Sequence, residues 1–156
     1  MRDLDEAVSP AGADDGPADR EPGPASVVAP RVELVRFESP VTNARGRRPG
    51  VFALANGLAR AGRLSSTDHA WWRSSNDWCN AAYADPSTVD AAVYDDVANP
   101  GAQAWFKSTA VELIEIARAY VALLERYGVA CVERRTLAPG RVVYEDDVQV
   151  VVAPPR

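Results

Sequence analysis

Apolar residues recur at helical spacing over residues 99–128, and this stretch predicts the longest helix of the chain. Asn99 and Pro100 suit the N-cap and the first helical position, and Gly128 suits a left-handed C-terminal stop. The apolar stripe between them consists of Phe106, Ala110, Leu113, Ile114, Ala117, Val121 and Leu124. At roughly 1.5 Å per residue this helix would be about 40 Å long. We therefore expect most other segments to pack against it.

A shorter helix is predicted over residues 51–61. Phe52 and Leu58 fall on one helical face, although Asn56-Gly57 between apolar flanks is also typical of a hairpin turn. We favour the helix because the segment holds four alanines, which are poor strand formers and the best helix formers.

A second short helix is predicted after Ser65, which forms a capping-box pattern with Asp68 three residues later. This helix carries Trp71, Trp72 and Trp78 and ends before the Asp-Pro pair at residues 85–86. The three tryptophans give it a wide aromatic face. Such a face is more often part of a core than a ligand platform or an interface anchor, so we expect these side chains to be buried.

Three segments predict strands, namely residues 31–38, 129–136 and 141–152. The last one alternates, with Asp146 as the only polar residue on its apolar face. Either it is one strand with an inward acid, or residues 145–147 form a turn that splits it. The predicted fold is α+β: a small antiparallel sheet packed by one long helix and two shorter helices.

Composition separates the first 30 residues from the rest. They contain five prolines, three glycines and no aromatic residue, so we expect residues 1–30 to be a disordered acidic tail and residues 31–156 to be a single globular domain. Seven acidic and two basic residues in the tail account for the net charge of −5. The remainder is neutral overall, so it has no field that would attract nucleic acid or an anionic membrane.

Within the remainder, charge is segregated along the chain. Residues 31–63 hold seven arginines and two glutamates, whereas residues 64–100 hold six aspartates and one arginine. Arg45, Arg47 and Arg48 lie in a segment whose prolines and glycines predict a loop. The two charged segments either neutralise each other or leave this loop as a basic patch for an anionic partner.

Four motifs stand out along residues 50–153. They are Gly50-Val51-Phe52, the tryptophan-rich helix that ends in Ala82-Tyr83 and Asp85-Pro86, Asn99-Pro100-Gly101-Ala102 followed by Ala104-Trp105-Phe106-Lys107, and PGRVVYEDDVQVV at residues 139–151. Together they resemble an uncharacterised family of small actinobacterial proteins, and the last motif is the most specific. The resemblance implies a shared fold and no known activity, so it assigns no functional residue.

An enzyme reaction would have few groups to use. Asp146 and its neighbours, including Glu145, form the densest carboxylate cluster, and a desolvated Asp146 could act as a base or hold a divalent ion. His69 is the only histidine. There is no phosphate-binding glycine loop, no Gly-x-Ser-x-Gly elbow and no metal-spaced His or Cys pair, so we expect neither a metal nor another cofactor. For Asp146 we favour a turn, or a pairing with Arg134 or Arg135.

These observations favour a non-catalytic protein-interaction or regulatory module whose partner is another protein rather than nucleic acid or a membrane. The expected contact residues are Arg45, Arg47, Arg48, Trp71 and Trp72. One alternative is a small metal-assisted or acid–base hydrolase that uses Asp146. Another is a DNA binder in which the two short helices form a helix-turn-helix. The chain shows neither a signal-peptide pattern nor an apolar run of membrane-spanning length, so we expect a cytoplasmic protein.

Overall fold

Five short strands pair in one antiparallel sheet. The computed structural model describes residues 32–154, and its strands are, in chain order, β1 (Leu34–Glu38), β2 (Gln103–Lys107), β3 (Val132–Thr136), β4 (Arg141–Glu145) and β5 (Gln149–Ala153). Their order across the sheet is β3-β1-β2-β5-β4, and every neighbouring pair is antiparallel. The predicted tail, residues 1–30, lies outside the described residues.

Four helices accompany the sheet, and they confirm the α+β class. They are α1 (Val51–Arg60), α2 (Ser66–Ala82), the single turn α3 (Pro86–Val89) and α4 (Val111–Arg126). Both predicted short helices are therefore present. Ser65 is the N-cap of α2, since its hydroxyl accepts from the backbone N–H of Asp68 at 3.1 Å.

Alternation along the strands directs the larger apolar cluster towards the helices. Val35 and Phe37 of β1 and Phe106 of β2 are buried in one cluster with residues of α1 and α4. At the contact between these two helices, the rings of Phe52 and Tyr120 pack edge to face with their centroids 4.8 Å apart. Such a ring pair adds about 0.5–1.5 kcal/mol beyond the area that it buries. This contact positions α4 over the sheet.

The opposite face of the sheet carries a second, smaller cluster. It consists of Leu34, Trp105, Val150 and Val152. Strands β2 and β5 therefore carry apolar side chains on both faces, whereas β1 places Arg36 and Glu38 beside Leu34 on this second face. This explains why the sequence of β5 shows three consecutive valines rather than an alternation of apolar and polar residues.

The predicted helix over residues 99–128 is wrong in its first twelve residues, and α4, with 16 residues, is shorter than α2, with 17. Asn99 does not cap a helix, because its side-chain amide donates to a carbonyl in the preceding turn at 2.9 Å. Gly101, at φ +73°, then leads into β2, and α4 begins only at Val111. The strand forms because β1 and β5 pair with it from both sides, and this pairing overrides the local helical spacing. The predicted stop at Gly128 is correct, since this residue has φ +70°.

The last predicted segment is split by a turn. Residues 146–148 connect β4 and β5 as a hairpin, in which Asp146 donates its backbone N–H to the carbonyl of Gln149 at 3.0 Å. A register irregularity between Val142 and Tyr144 marks a bulge in β4. The alternative with one continuous strand is therefore wrong.

Candidate functional site

An open groove runs between the antiparallel helices α2 and α4. Short side chains form its walls, with Ser74 and Ser75 on α2 and Ala119 and Ala122 on α4. They leave an open volume of about 620 Å³ towards one end and about 380 Å³ towards the other, and the two spaces meet at Trp71 and Ala119. We call this feature the α2–α4 groove. It is preformed, because regular helices provide both of its walls.

Two of the three tryptophans of α2 border the α2–α4 groove. The side chain of Trp71 is 36% exposed and that of Trp78 is 44% exposed. The Trp71 ring lies 5.0 Å from the ring of Tyr120, and the Trp78 ring lies 5.8 Å from that of Tyr83. The prediction that these side chains belong to the core is therefore wrong for Trp71 and Trp78, whereas Trp72 is half-buried and packs against the core. Only Cys79 is fully buried among the residues of α2, so the core face of this helix is narrow.

Trp72 faces a different direction and has an internal partner. Its indole N–H donates to Asn56 Oδ1 of α1 at 2.9 Å, and Asn76 Nδ2 donates to the same oxygen at 2.9 Å. The Tyr120 hydroxyl donates in turn to Asn76 Oδ1. These bonds join α1, α2 and α4 behind the groove. They give Trp72 a structural role, which the sequence prediction of a partner contact did not include.

A polar clamp closes the junction between the N-terminus of α2 and the C-terminus of α4. The Tyr127 hydroxyl donates to Asp68 Oδ2 at 2.6 Å and accepts from the backbone N–H of Ser65 at 2.9 Å. Arg126 donates to Asp68 Oδ1 at 2.8 Å. The bonds from Tyr127 and Arg126 lower the pKa of Asp68. The clamp fixes the spacing of the two helices at this end of the groove.

The other end of the groove is acidic. Glu112 and Glu115 of α4 line it beside Trp78, and both are exposed. Within residues 32–154 neither carboxylate has an ion-pair partner, and they lie three residues apart on the same helix, where like charges repel. Burial, and then the charge of Glu112, raises the pKa of Tyr83, whose ring lies against that of Trp78.

The predicted arginine loop is positioned by other elements. Asn43 Oδ1 accepts from the backbone N–H groups of Arg45 and Arg47, which makes the loop an ordered turn. The Arg47 guanidinium pairs with Asp96, so the basic and acidic segments meet here as one of the two predicted alternatives requires. The carbonyl of Arg48 accepts from Arg36 at 2.8 Å.

Asp146 is held in the turn between β4 and β5. Its Oδ1 accepts from the backbone N–H groups of Val148 and Gln149, and its Oδ2 accepts from the Tyr144 hydroxyl at 2.8 Å and from Gln149 Nε2 at 3.2 Å. These four bonds use the acceptor positions that a general base would need. Of the two predicted alternatives for Asp146, the turn is therefore correct and the pairing with an arginine is wrong.

The two arginines named for Asp146 have other partners. Arg134 donates to Glu38 at 2.9 Å, and Arg135 donates to Glu33 at 2.6 Å. The neighbouring Glu145 pairs with Lys107 of β2 at 3.0 Å. Arg134 and Glu38 lie on the adjacent strands β3 and β1, and Lys107 of β2 reaches across β5 to Glu145 of β4. These pairs therefore contribute to the sheet rather than to a reaction centre.

His69 and Asp146 do not form one site. Gln149 Nε2 donates both to Asp146 and to the carbonyl of Ala84, so Asp146 lies beside the C-terminal end of α2. His69 is in the first turn of that helix, with its ring 5.2 Å from the Trp72 ring. About 20 Å of helix separates the two positions. In the described part of the chain, no group of three or more His, Cys, Asp or Glu side chains is arranged to hold a metal ion.

Comparisons with models of known protein families, with curated proteins and with solved structures find no match to this chain. The resemblance to small actinobacterial proteins therefore stays a prediction. None of the helices within residues 32–154 combines the length and the apolar character that crossing a membrane requires.

Sequence reasoning did not find the α2–α4 groove. A signal was present, since Trp71, Ser74, Ser75 and Trp78 follow one another at spacings of three and four on α2. A helical stripe that alternates large aromatic and small polar residues is unusual for a core, which excludes unpaired hydroxyl groups. The second wall could not be found in the same way, because locating it requires the pairing of α2 with α4.

Proposed function

We propose that this protein is a non-catalytic intracellular interaction module that binds another protein in the α2–α4 groove. The observation that carries the proposal is the pair of half-exposed tryptophans, Trp71 and Trp78, on a groove with small side chains on both walls. Tryptophan is enriched among the residues that dominate binding energies, and its ring offers a large apolar area at a low entropic cost.

The dimensions of the groove suit a helical segment of the partner. From Asp68 to Trp78 the wall on α2 covers ten residue steps, about 15 Å at roughly 1.5 Å per residue. About three turns of a docked helix have this length, and the anchors of such a helix recur at spacings of three, four and seven. The short side chains at the walls leave space for those anchors.

Hydrogen bonds also hold the walls of the groove in place. The clamp at Asp68 joins α2 to the C-terminus of α4 at one end, and the network behind Trp72 joins α2 to α1 and α4. A surface that is already ordered loses little conformational entropy when a partner binds. This favours binding to a folded surface over a role that depends on a mobile loop.

A blocking substitution tests the proposal. Ala119→Arg places a long side chain in the groove at an exposed helical position, where arginine is a good helix former. Ala70→Arg makes the same change at an exposed position of α2 outside the residues that line the groove. Affinity capture with the wild-type chain and both variants should give a stoichiometric protein that Ala119→Arg loses and Ala70→Arg retains. Equal retention by all three chains would refute the proposed site.

The loop with Arg45, Arg47 and Arg48 remains a second proposed contact. Substitution of Arg45 and Arg48 by alanine tests it without removing the ion pair of Arg47 with Asp96. If the captured partner stays bound to this variant, the loop is not part of the interface.

The hydrolase and DNA-binding alternatives have less support. The oxygens of Asp146 are already occupied by four internal donors. The surface around α2 carries Asp77, Glu112 and Glu115, whose charges repel phosphate groups. We therefore do not propose either activity.

A further inference from the structure

We infer that the segment bound by the α2–α4 groove is a basic amphipathic helix, whose apolar face lies on the groove and whose lysine or arginine is placed between Glu112 and Glu115 beside Trp78. This inference rests on the proposed function and names the chemistry of the partner.

The first argument is the distribution of charge along the groove. At one end Asp68 and Arg126 form an ion pair at 2.8 Å, so their charges compensate. At the other end Glu112 and Glu115 have no ion-pair partner among the described residues, since Arg118, the next cation along α4, pairs with Glu133. Two uncompensated carboxylates three residues apart on one helix face favour a cation that a ligand supplies.

The second argument is the aromatic surface next to these carboxylates. The Trp78 ring is nearly half exposed and lies against Tyr83, so part of its area is available to a ligand. A lysine or arginine can lay its alkyl stem along such a ring while its charged end reaches a carboxylate. A cation over the face of an indole gains further attraction from the ring quadrupole.

The third argument excludes the other occupants that the chain itself suggests. Residues 1–30 have a balance of −5, so the carboxylates of the groove repel them. A small cation would use only the acidic end and would leave Trp71, Ala119 and Ala122 uncovered over the remaining length. A helix of about 14 residues covers both ends, since it is about 20 Å long at roughly 1.5 Å per residue.

Two matched synthetic peptides test the inference with the full chain. Each is an amphipathic helix of about 14 residues with the same leucine face, and its polar face carries lysine in one peptide and glutamate in the other. Binding is measured by titration calorimetry at low and at physiological salt. We expect the lysine peptide to bind at least about tenfold more tightly than the glutamate peptide, with a difference that shrinks as salt screens the charges.

Two charge variants locate the interaction. Glu112→Gln with Glu115→Gln removes the acidic end, and Glu125→Gln with Asp147→Asn gives the same net charge at exposed positions outside the groove. Since exposed ion pairs have modest energies, we expect the first variant to weaken binding of the lysine peptide about five- to tenfold and the second to change it less than about twofold. All four positions are exposed, so both variants should fold.

Several results would overturn the inference. Equal binding of both peptides, with loss of both in Ala119→Arg, would keep the groove as a binding site and refute the basic partner. An equal loss in the two charge variants would show a non-specific charge effect and would also refute it. Self-association of the chain that Ala119→Arg abolishes would identify a second copy as the occupant. Binding of the lysine peptide that Ala119→Arg leaves unchanged would instead refute the groove itself.

Discussion

A buried ion pair on β1 provides the sharpest test of the packing described above. Glu38 is 1% exposed and Arg36 is 4% exposed, and Arg36 Nε donates to Glu38 Oε2 at 2.7 Å. The other carboxylate oxygen accepts from Arg134 at 2.9 Å. Arg36 also donates to the carbonyls of Ala104 and Arg48, each at 2.8 Å. One guanidinium thus joins β1 to β2 and to the loop before α1.

Glu38→Gln keeps the shape of this side chain and removes its charge. The guanidinium of Arg36 then loses the carboxylate that neutralises it. In addition, the amide NH₂ group of the glutamine must face an N–H donor of Arg36 or Arg134, where the carboxylate offered an acceptor. Removal of one partner of a buried pair typically costs 3–5 kcal/mol. Because Arg36 keeps two carbonyl acceptors, we expect a loss near the lower end, about 3 kcal/mol. This corresponds to a fall in the melting temperature of about 10 °C for a domain of this size.

Urea unfolding followed by circular dichroism measures this loss as a shift of the midpoint at constant slope. The control is Arg135→Ala, which removes the exposed ion pairs of the next arginine on β3 with Glu33 and Glu133 and should cost less than about 1 kcal/mol. If Glu38→Gln costs no more than Arg135→Ala, the buried pair contributes no more than a surface pair, and the argument from burial is refuted.

Three further predictions concern a clamp, a turn and a half-buried hydroxyl. The hydrogen bonds from Tyr127 and Arg126 lower the pKa of Asp68. The stability that this carboxylate contributes is therefore present above its unfolded pKa of about 4 and is lost as the pH falls through the lower folded value. The difference in melting temperature between wild type and Asp68→Asn should shrink on acidification. Gly101 has φ +73°, and an added Cβ would meet Pro154 Cγ at 3.2 Å. Gly101→Ala should therefore lower the free energy of unfolding by about 1–2 kcal/mol. Gly46→Ala is the control and should cost less, because Gly46 has a similar φ of +71° but an added Cβ there would meet no atom within 4 Å. Desolvation and the hydrogen bond to Asp146 raise the pKa of Tyr144 to about 12. The stability that this hydroxyl contributes is therefore complete below an unfolded pKa of about 10 and is lost as the pH rises through about 12. The difference in phenolate absorbance between wild type and Tyr144→Phe should appear near pH 12 in the folded protein.

Local signals predicted two helix ends correctly. Ser65 caps α2, and Gly128 follows α4 with φ +70°. Each of these residue types meets a local requirement, because serine accepts from an unpaired N–H group at a helix start and glycine adopts a left-handed backbone at a helix end. The residue type alone therefore predicts the position. The antiparallel pairing of β4 with β5 follows from their short connection, which leaves no room for a crossover. The connection between β3 and β4 is also short, yet these two strands lie at opposite edges of the sheet.

The strand β2 could not be found from the same kind of signal. Ala104 and Phe106 point to the helices and Trp105 to the other face, and this short run fits a period of two as well as a helical period. Only the pairing with β1 and β5 decides between the two, and that pairing involves residues far apart in the sequence. Pro100-Gly101 was the one local signal against a continuous helix, since this dipeptide is typical of a turn.

The two roles of the tryptophans on α2 follow from helix geometry. Consecutive residues of a helix point about 100° apart, so Trp72 reaches Asn56 and the interior while Trp71 faces the groove. A sequence pattern that counts both as one aromatic face merges two surfaces. Once they are separated, the residues that stabilise the helix pair are Trp72, Asn76 and Cys79, and those on the groove face are free to be selected for binding. In the proposed function, the residues that stabilise the helix pair and the residues that bind the partner are different side chains of α2. A change that improves binding at the groove face therefore does not have to remove a side chain that stabilises the fold.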